Sequence, residues 1–593
     1  MFEILGHGGL GRKGLWTRGD RDLPTPLVLF VRGSRRAAPA FAEALLVSER
    51  TDDPRLQIRA SGSFFAPRPR GSPDDLPPSK GLPLSLVDLE TPQESLSGDL
   101  AIVTSDADLR PAKDAEVVFL ANGIEYERSP RGFVAAIRRI REGLGPAKVL
   151  GITGLASPSN AAVLAYAGID LMDSSRVVLD GARGTFHTSD GAHPVEEVDR
   201  AACGCEACAS SADVVAHNER ALFREILLVR NHLLHGRLRE LVERRLANAP
   251  WNAAVLRHLD LRAYDLVEPH VPVAGPTMHA YSHESLTRPE VVRFRERIRE
   301  RYRKPESARV LLLLPCSARK PYSASRSHRR FRDAVFASVN PSVVHEVVVT
   351  SPLGLIPREL ERFYPARAYD IPVTGDWSRD EAAVVLEDLR TFAAANRYES
   401  VVAHLGAEAP IVKEALPEAI LTSAAKTTSD ESLAALTRAL DGVAADHERV
   451  PKGVRFAEEM GNVARFQFGP AGTVLVEGAT FRGRVPDVRV LHRGTQLAMH
   501  TARGMLSLTL AGGARLSAKD AYWAEIEDFL PKGNVFSVGV VDAAREIRPG
   551  DEVVVRHAGE VRAVGTARLS WREMNDLRRG EAIHVRHALE APP

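Results

Sequence analysis

The chain has few cysteines, few aromatic residues and almost no net charge. Only four of its 593 residues are cysteine, and three of these lie within six positions, which excludes the disulfide framework of a small secreted domain. Aromatic residues make up 6%, and 78 basic against 77 acidic side chains leave a formal charge of +1. A nucleic-acid partner would therefore have to meet local basic patches, because the protein as a whole is not basic.

Long apolar runs are also absent. No apolar stretch approaches the roughly 18 residues that span a bilayer, and Met1 opens no charged-then-apolar secretion signal. We therefore expect a cytoplasmic protein without a membrane anchor. A chain of 593 residues is too long for one hydrophobic core, and the usual domain size predicts roughly three to five domains.

Short apolar runs alternate with helix-like stretches over residues 1–250. This alternation predicts a parallel α/β sheet or barrel. Helices are predicted at 133–143 and 221–246, where apolar residues recur at helical intervals. The predicted strands lie at 26–31, 116–121, 148–152 and 176–179.

A second α/β unit is predicted to begin at residue 309 with an apolar run typical of a buried strand. Residues 287–304, dense in arginine and glutamate, are predicted to form a solvated connecting helix before it. The stretch 424–445, rich in small and polar residues, is a predicted domain boundary. Further predictions are strands at 309–314, 343–350 and 400–405, a helix at 380–395, and small β-rich domains from about residue 452, with strands at 472–476, 488–491 and 551–556.

Three thiols crowd together at Cys203, Cys205 and Cys208. Ionised thiolates repel one another, so a cation is the simplest reason for the crowding, and three Cys with one His form a common structural zinc set. His217 is the nearest histidine downstream and His235 is a third possibility. We expect His232 as the fourth ligand, because it lies on a predicted helix that would hold it rigidly. Four protein ligands leave no open position, so this zinc should be structural.

Three segments of the first domain carry a family resemblance, namely residues 11–17 with Thr25 and Pro26, residues 168–174, and the cysteine segment. They resemble the archaeal tRNA-guanine transglycosylases. In that family the histidine ligand lies in a His-Asn-Leu element roughly two dozen residues after the last cysteine, which Asn231-His232-Leu233 matches with its first two residues reversed. The resemblance implies a zinc-containing TIM-type barrel.

The same resemblance implies that the barrel has lost its reaction. Asp173 falls where the family keeps its nucleophilic carboxylate. Ala60 stands where the catalytic aspartate belongs, however, and Phe65 where glutamine would be. Alanine can neither donate nor accept a proton, and the residues between Phe65 and Val117 are too few and too proline-rich for the usual barrel strands. We expect a degenerate barrel, retained as a scaffold.

Reactive side chains are concentrated just after the strand predicted at 309–314. Open α/β sheets place their sites at such strand ends. A thiol near Lys or Arg is biased towards the reactive thiolate. The plain alternative is that the cysteine is a core residue, the cations are solvated and the serines form turns. The candidate catalytic residues are Cys316, Lys320, Tyr322, Ser325, Ser327 and His328.

This segment resembles the signature of the archaeosine synthases, Pro-Cys-Ser-x-x-Lys-Pro-Tyr-x-x-Ser-x-Ser-His, at every fixed position from Pro315 to His328. Residues 351–354, 357–361 and 369–375 are similar to the same family. The resemblance implies addition of a nitrogen nucleophile to the nitrile of 7-cyano-7-deazaguanine (preQ0) at position 15 of tRNA. Lysine, glutamine or ammonia could supply the nitrogen. The candidate proton donors are Lys320, Tyr322 and His328, and Cys316 either forms a thioimidate or only shapes the pocket.

The C-terminal segments 535–541, 548–555, 561–565 and 580–587 resemble a PUA domain, a small β-barrel that binds structured RNA. Guanidinium groups pair well with phosphate, so this resemblance implies recognition through the RNA backbone. The region carries Arg545, Arg548, Arg556, Arg562, Arg568, Arg572, Arg578, Arg579 and Arg586.

The sequence therefore predicts a multidomain fold of α/β and β parts. We expect a degenerate barrel with zinc at 1–285, an α/β catalytic domain at 286–445, a small linking domain at 446–515 and a PUA domain at 516–593. The expected partners are tRNA carrying preQ0, an amine donor of the lysine or glutamine type, a second enzyme that completes the product, and further copies of the chain. Two other interpretations stay open, namely an active transglycosylase and a non-catalytic tRNA-binding protein.

Overall fold

The structure is a computed structural model that describes residues 2–32, 37–47, 51–59, 100–103, 109–120, 123–210, 213–372, 376–423 and 426–590. The chain divides into two compact units. The first comprises Met1–Val271 with Phe536–Val538 and Arg572–Glu581, and the second comprises Pro272–Val535 with Gly539–Trp571 and Ala582–Pro593. No helix in the described part of the chain is long and apolar enough to cross a membrane.

The first unit is built on a curled, seven-stranded parallel sheet of order β6-β5-β4-β10-β9-β8-β7. The first and last strands of this sheet in chain order, at 27–32 and 171–173, pair in parallel with Leu27 opposite Leu171, as they do in a (β/α) barrel. This half-barrel confirms the degenerate barrel expected from the sequence. An antiparallel sheet of β1 (Phe2–Gly8), β2 (Gly11–Arg18) and β3 (Arg21–Thr25) precedes it. The parallel strands are β4 (Leu27–Arg32), β5 (Ala44–Val47), β6 (Leu56–Arg59), β7 (Leu100–Val103), β8 (Val117–Leu120), β9 (Val149–Ile152) and β10 (Leu171–Asp173).

Helices and one hairpin complete the first unit. The strand predicted at 176–179 is wrong, because those residues lie in a helix whose Val177 and Val178 are buried. The single helix predicted at 221–246 is two helices, separated at Gly236, whose φ of 65° ends the first. The elements are α1 (Pro130–Leu144), α2 (Ala161–Tyr166), α3 (Ser175–Ala182), β11 (Thr185–Thr188), β12 (Gly191–Pro194), α4 (Glu206–Ser210), α5 (Val214–Leu234), α6 (Leu238–Arg245), α7 (Pro250–Arg262) and α8 (Tyr264–Val267).

The second unit contains the α/β sheet predicted from residue 309, of order β16-β15-β14-β18-β19. Its central strand is parallel to both neighbours and fully buried over Val310–Leu314, which explains its unbroken apolar run. The elements are β13 (Met278–His279), α9 (Pro289–Arg301), β14 (Val310–Pro315), α10 (Arg326–Ala337), β15 (Val344–Thr350), β16 (Gly354–Pro357), β17 (Tyr369–Asp370), α11 (Arg379–Ala395), β18 (Ser400–Ala403), α12 (Ala409–Ala415), β19 (Ile420–Leu421), α13 (Asp430–Ala444) and α14 (Lys452–Phe468).

Three predictions about this unit need correction. The helix predicted at 287–304 exists as α9, but it is not solvated, because it buries Val291, Phe294 and Ile298. Residues 424–445 contain α13, which packs Leu436 and Leu440 into the core of the α/β sheet. The short strands expected from residue 452 begin only after α14 and a 3₁₀ helix at Gly469–Leu475, which replaces the strand predicted at 472–476.

The remaining elements are mainly β-structure. Four antiparallel strands form a sheet of order β20-β21-β22-β23, and six later strands form a sheet of order β25-β29-β28-β27-β24-β26. The strands predicted at 488–491 and 551–556 are confirmed as β21 and β27. The elements are β20 (Thr480–Arg484), β21 (Asp487–His492), β22 (Thr495–His500), β23 (Leu506–Leu508), α15 (Leu510–Ser517), β24 (Trp523–Ile526), β25 (Val535–Phe536), β26 (Val540–Ala543), β27 (Glu552–His557), β28 (Glu560–Ala567), α16 (Trp571–Asp576) and β29 (Glu581–Ala588).

Candidate functional site

A group of four side chains in the first unit could hold a metal ion. The ligand atoms of Cys203, Cys205, Cys208 and His217 all lie within 4.8 Å of one another. His217 Nδ1 is 3.5, 3.4 and 3.4 Å from the three Sγ atoms in that order. A tetrahedral zinc site with ordinary bond lengths would place a nitrogen and a sulfur ligand about 3.6 Å apart. The spacing and the donor types therefore fit zinc.

The His217 ring is fixed by contacts on the side away from the cysteines. Its Nε2 donates to the His187 carbonyl oxygen at 2.8 Å, which leaves Nδ1 as the ligand atom. The Phe186 ring stacks on the imidazole with centroids 3.6 Å apart. Asn218, the next residue of α5, accepts from the His187 backbone at 2.8 Å and so fixes the hairpin that carries that carbonyl. Such outer contacts set the ring orientation before any ion binds.

The expected fourth ligand, His232, is wrong in this structure. His217 lies in the first turn of α5, directly after the cysteine segment, whereas His232 lies 15 residues further along the same helix, a rise of about 22 Å. His232 Nδ1 instead contacts the Leu228 carbonyl at 2.9 Å, and its Nε2 contacts Arg244. His235 likewise bonds its own helix through the Asn231 carbonyl. His217 is the ligand because it lies in the first turn of α5, next to the cysteines. The spacing expected from the family resemblance pointed to His232 instead.

Asp173 ends β10 in the barrel and is fully buried. Its carboxylate accepts hydrogen bonds from Gly154 N at 2.7 Å and from the Ser175 hydroxyl. Burial raises its pKa to about 6, because the apolar surroundings disfavour the charged form more than these hydrogen bonds favour it. Ala60 and Phe65, on which the loss of the barrel's reaction was argued, lie outside the described residues.

The second candidate centre is the motif loop, residues 315–328, which joins the carboxyl end of β14 to the first turn of α10. Ser325 caps α10, since its Oγ accepts from His328 N at 3.2 Å, and the Ser325 and Ser327 hydroxyls lie 3.2 Å apart. These two serines therefore shape the helix start. Ser317 Oγ similarly donates to the Arg319 carbonyl within the loop.

A buried chain of hydroxyls lies beneath the loop. The Tyr322 and Tyr369 hydroxyls hydrogen bond to each other, and the Tyr369 hydroxyl lies 2.6 Å from Thr350 Oγ1. Thr350 ends β15 and Tyr369 begins β17, so three different elements contribute. Burial raises the pKa of Tyr322 well above its usual value and that of Tyr369 as well, so both phenols stay protonated at neutral pH.

Lys320 and Cys316 are the two side chains of the loop best placed for chemistry. The Lys320 ammonium lies 3.9 Å from the centroid of the Tyr369 ring. Burial lowers its pKa, while the Cys316 thiol and the Asp370 carboxylate favour its charged form. Burial raises the pKa of Cys316, and this outweighs the opposing effects of a Thr350 hydrogen bond and of Lys320. Burial therefore opposes the thiolate form that the nearby cations favour.

His328 holds the loop in place. Its Nε2 donates to the Pro315 carbonyl at 3.0 Å, and its Nδ1 accepts from Arg358 at 2.8 Å, so both ring nitrogens are occupied. Burial, with the Arg358 charge, lowers its pKa to about 3. Arg358 is itself anchored by Glu346 and Glu361, and Glu361 also accepts from Ser323 N at 3.0 Å. A neutral, doubly bonded imidazole is a positioning residue here, and the geometry gives no support for the expected proton donor.

Sequence reasoning assigned no role to Thr350, Tyr369 or Asp370. Tyr369 and Asp370 begin a segment, 369–375, that was noted only for its resemblance. A signal was available, because a tyrosine and an acid lie side by side between two prolines, Pro365 and Pro372. What could not be read from the sequence is that β17 places Tyr369 under Lys320.

Comparisons with known proteins identify two domain families and several relatives of the chain. Residues 291–440 match a protein family described as "Domain of unknown function (DUF5591)", and residues 524–589 match the PUA domain family. The chain is 38% identical to the archaeosine synthase of Haloferax volcanii over 513 residues, which cover 83% of this chain and 85% of that protein. The chain belongs to the archaeosine synthase family.

Other relatives bear on the full length of the chain. The archaeosine synthase subunit alpha of Thermococcus kodakarensis is 32% identical over 99% of this chain and 100% of that protein. The tRNA-guanine(15) transglycosylase of Methanobrevibacter smithii is 27% identical over 82% of this chain and 72% of that protein. The archaeosine synthase family thus accounts for all the parts of the chain, and its likeness to the transglycosylases agrees with the half-barrel.

The PUA domain of this archaeosine synthase family member uses several of its arginines internally. Arg556 pairs with Asp520 at 2.9 Å and with Glu525 at 3.1 Å, and its guanidinium stacks on the Trp523 ring. Arg562 lies 3.4 Å from Asp528. Arg586 also pairs with a carboxylate, that of Glu552. The number of arginines available to phosphate is therefore smaller than the composition predicted.

Proposed function

We propose that this chain is an archaeosine synthase, a transferase that modifies tRNA by adding a nitrogen nucleophile to the nitrile of preQ0 at position 15. The observation that carries the proposal is the Lys320 ammonium over the Tyr369 ring, in the loop that also holds Cys316 at the carboxyl end of β14. The intact motif and the family membership support the same reaction. The nitrile substrate itself comes from the family resemblance.

A nitrile needs a nucleophile at its carbon and a proton at its nitrogen, where negative charge develops. In the proposed reaction Lys320 supplies that proton. Its lowered pKa brings the ammonium closer to the operating pH, where a general acid works best. The face of the Tyr369 ring steadies the charged form while it waits.

The Cys316 thiol adds to the nitrile carbon in the first step. A C–S bond forms, Lys320 gives its proton to the nitrile nitrogen, and the thiol proton returns to Lys320, so that a thioimidate results. The amine donor then attacks the same carbon and the C–S bond breaks. The attacking nitrogen loses a proton, which the departing sulfur takes up, so that the amidine and the free thiol result. No electrons are gained or lost, so the sequence needs no oxidant. A protonated, half-buried thiol beside a lysine of lowered pKa suits this exchange.

The metal site has a separate role. We assign zinc to Cys203, Cys205, Cys208 and His217, whose donor set and spacing suit that ion. Four protein ligands leave no position for substrate, and the site belongs to the first unit, whereas the motif loop belongs to the second. Zinc would therefore fasten the cysteine segment to α5 and take no part in the transfer.

The remaining proposed partners follow from the same function. The PUA domain at 524–589 supports contact with structured RNA, and tRNA is the substrate we propose. The Thermococcus kodakarensis relative is named a subunit, which supports a second protein that acts with this one to complete archaeosine. We also propose that the chain acts as a homo-oligomer.

Mass analysis of tRNA nucleosides tests the proposal. Purified protein is incubated with preQ0-containing tRNA and, in separate reactions, with lysine, glutamine or ammonium. We expect one of the three to convert the nitrile to an amidine, and that reaction identifies the donor. A parallel reaction with unmodified tRNA and free preQ0 base should give no exchange. Exchange without amidine formation would instead show an active transglycosylase, and neither reaction would leave only a tRNA-binding protein.

A further inference from the structure

The sheet β20–β23 carries an excess of positive charge. Residues 480–508 contain five arginines and a single acidic residue, Asp487, in a chain whose total formal charge is only +1. Four of these arginines have exposed side chains on or beside the strands β20 and β21, namely Arg482, Arg484, Arg489 and Arg493. The segment lies outside the matched PUA domain at 524–589 and outside the match at 291–440.

The register of the sheet places like charges opposite each other. Arg482 of β20 pairs directly with Arg489 of β21. Directly opposed side chains in an antiparallel pair have their Cβ atoms about 5 Å apart, and like charges there destabilise the pair. Neither arginine makes an ion pair or a side-chain hydrogen bond with any other described residue. An anionic partner bound between these two guanidinium groups would relieve their repulsion.

The direction of these side chains is fixed by the core. The neighbouring positions Val488 and Val490 are buried, as are Ala498 and Leu508 on the strands that follow. Because side chains alternate between the two faces of a strand, Arg482 and Arg489 must project from the opposite, exposed face. Met499 and Ser507 are their registered neighbours on that face, so no acid interrupts it there.

The turn at one end of this charged face lies beside the motif loop. Val485, in the turn between β20 and β21, lines a cavity of about 490 Å³ together with Ser323, Ala324 and His328 of the motif loop. Arg332 and Arg362 line the same cavity, and neither makes an ion pair or a side-chain hydrogen bond within the part of the chain that the structure describes. All these residues belong to the second unit.

We propose that the exposed face of β20 and β21 is a second RNA-binding surface, which holds phosphates of the tRNA substrate beside the motif loop. The inference rests on the proposed function, since it takes the substrate to be tRNA. Planar, permanently charged guanidinium groups match phosphate oxygens, and a surface without aromatic stacking platforms reads backbone and not bases. The linking segment would then be a working part of the substrate site.

The test compares two double variants of the full-length chain. Arg482→Ala/Arg489→Ala removes the opposed pair, and Arg309→Ala/Arg390→Ala removes two exposed arginines of the same unit that already have acidic partners, Glu399 and Glu414. We expect the first variant to weaken tRNA binding roughly tenfold near physiological salt and to flatten the slope of log affinity against log salt by about two. The control should change neither quantity, and Arg482→Lys/Arg489→Lys should restore most of both because it keeps the charges.

The outcomes separate this proposal from the proposed function. Thermal unfolding midpoints equal to that of the wild type show that the variants are folded. If wild-type protein forms the amidine while Arg482→Ala/Arg489→Ala keeps its affinity and salt slope, the surface is not an RNA contact and the proposal is overturned. An equal loss in the control variant would also overturn it, because the effect would then be one of total charge. If the wild type fails to modify tRNA in the nucleoside assay, the proposed function is contradicted, whatever the binding measurements show.

Discussion

Lys320 and His328 lie eight positions apart in one loop, and their surroundings give them opposite tasks. The Lys320 ammonium and the His328 imidazole are both partly removed from water, and burial lowers the pKa of each. The His328 nitrogens are already occupied by Pro315 and Arg358, so that the imidazole can neither give nor take a proton without breaking the loop. Lys320 instead lies over the Tyr369 ring, and its ammonium makes no hydrogen bond or ion pair with a described residue.

Replacing Lys320 should separate chemistry from binding. Lys320→Ala is expected to lower kcat/KM for tRNA modification by at least about 100-fold, the usual contribution of a general acid. The affinity for tRNA should stay nearly unchanged, because binding is spread over many distant phosphate contacts. Lys320→Arg should fail as well, since a guanidinium cannot readily lose its proton. Nucleoside mass analysis and filter binding on the same preparations measure the two quantities.

Asp173→Asn is the matched control for Lys320. It changes a buried carboxyl of perturbed pKa in the other unit, at a position where we expect the barrel reaction to have lost its partner acid. We expect normal modification by this variant. Full activity in Lys320→Ala, or complete loss in a folded Asp173→Asn protein, would move the reaction to the barrel.

His328 predicts a pH dependence of stability. Its folded pKa of about 3 lies below the unfolded value near 6.5, so the unfolded chain binds more protons between these two values. Stability should therefore be complete above pH 6.5 and fall as the pH drops towards 3, by up to roughly 4 kcal/mol from this group. His328→Gln should be less stable at pH 7 but lose less between pH 7 and 4.5 in denaturant unfolding. Parallel curves for the two proteins would show that His328 is not the group responsible.

At the scale of elements, the most reliable predictions came from continuous apolar runs. β4 and β14 are buried on both faces, and a strand in that position must be apolar throughout, so the pattern had one interpretation. The run at 176–179 begins with Arg176 and holds only three apolar residues, and such a short run cannot be distinguished from one face of a buried helix. Length decided the difference, and α3 is helical.

Elements whose apolar residues are spaced at intervals were the harder ones. α14 buries Met460 and Val463 at helical spacing, yet its glycines and charges suggested loops between short strands. The candidate site shows the same limit. The motif residues could be found from the sequence, but β17 lies between two stretches with no helical or strand pattern, and only tertiary packing brings Tyr369 to Lys320.

The zinc site makes an element-scale prediction about α5. Purified protein should contain about one zinc per chain, and Cys205→Ser and His217→Ala should each release it and lower the unfolding temperature, because binding and folding are coupled. His232→Ala is the control on the same helix and should keep the metal, since its ring nitrogens contact Leu228 and Arg244 and none of the three cysteines. Metal analysis by mass spectrometry measures the content. Loss of zinc in His232→Ala with retention in His217→Ala would reverse the assignment.

At the scale of the whole molecule, the sequence order and the compact units do not coincide. Arg572–Glu581 lies within the matched PUA domain but belongs to the first unit. Glu573 bonds His7 at 3.2 Å and His270 at 3.0 Å, both of that unit. Burial alone would raise the pKa of Glu573, but these two histidines outweigh it and hold the pKa well below its usual value. The segment Arg572–Glu581 therefore helps to stabilise the first unit.

This arrangement predicts different outcomes for two ways of removing RNA contacts. Deleting residues 518–593 should weaken tRNA binding and flatten its salt dependence, because phosphate contacts release counterions. It should also lower the unfolding temperature of what remains, since Glu573 is removed as well.

The double variant Arg545→Ala/Arg578→Ala removes two PUA-domain arginines that have no carboxylate partner among the described residues. It should weaken binding but leave the unfolding temperature unchanged. Salt-dependent tRNA binding and thermal unfolding are measured on both proteins. A deletion that unfolds at the wild-type temperature would show that Glu573 contributes nothing to the first unit, and unchanged salt slopes in both proteins would remove the RNA contact from the PUA domain.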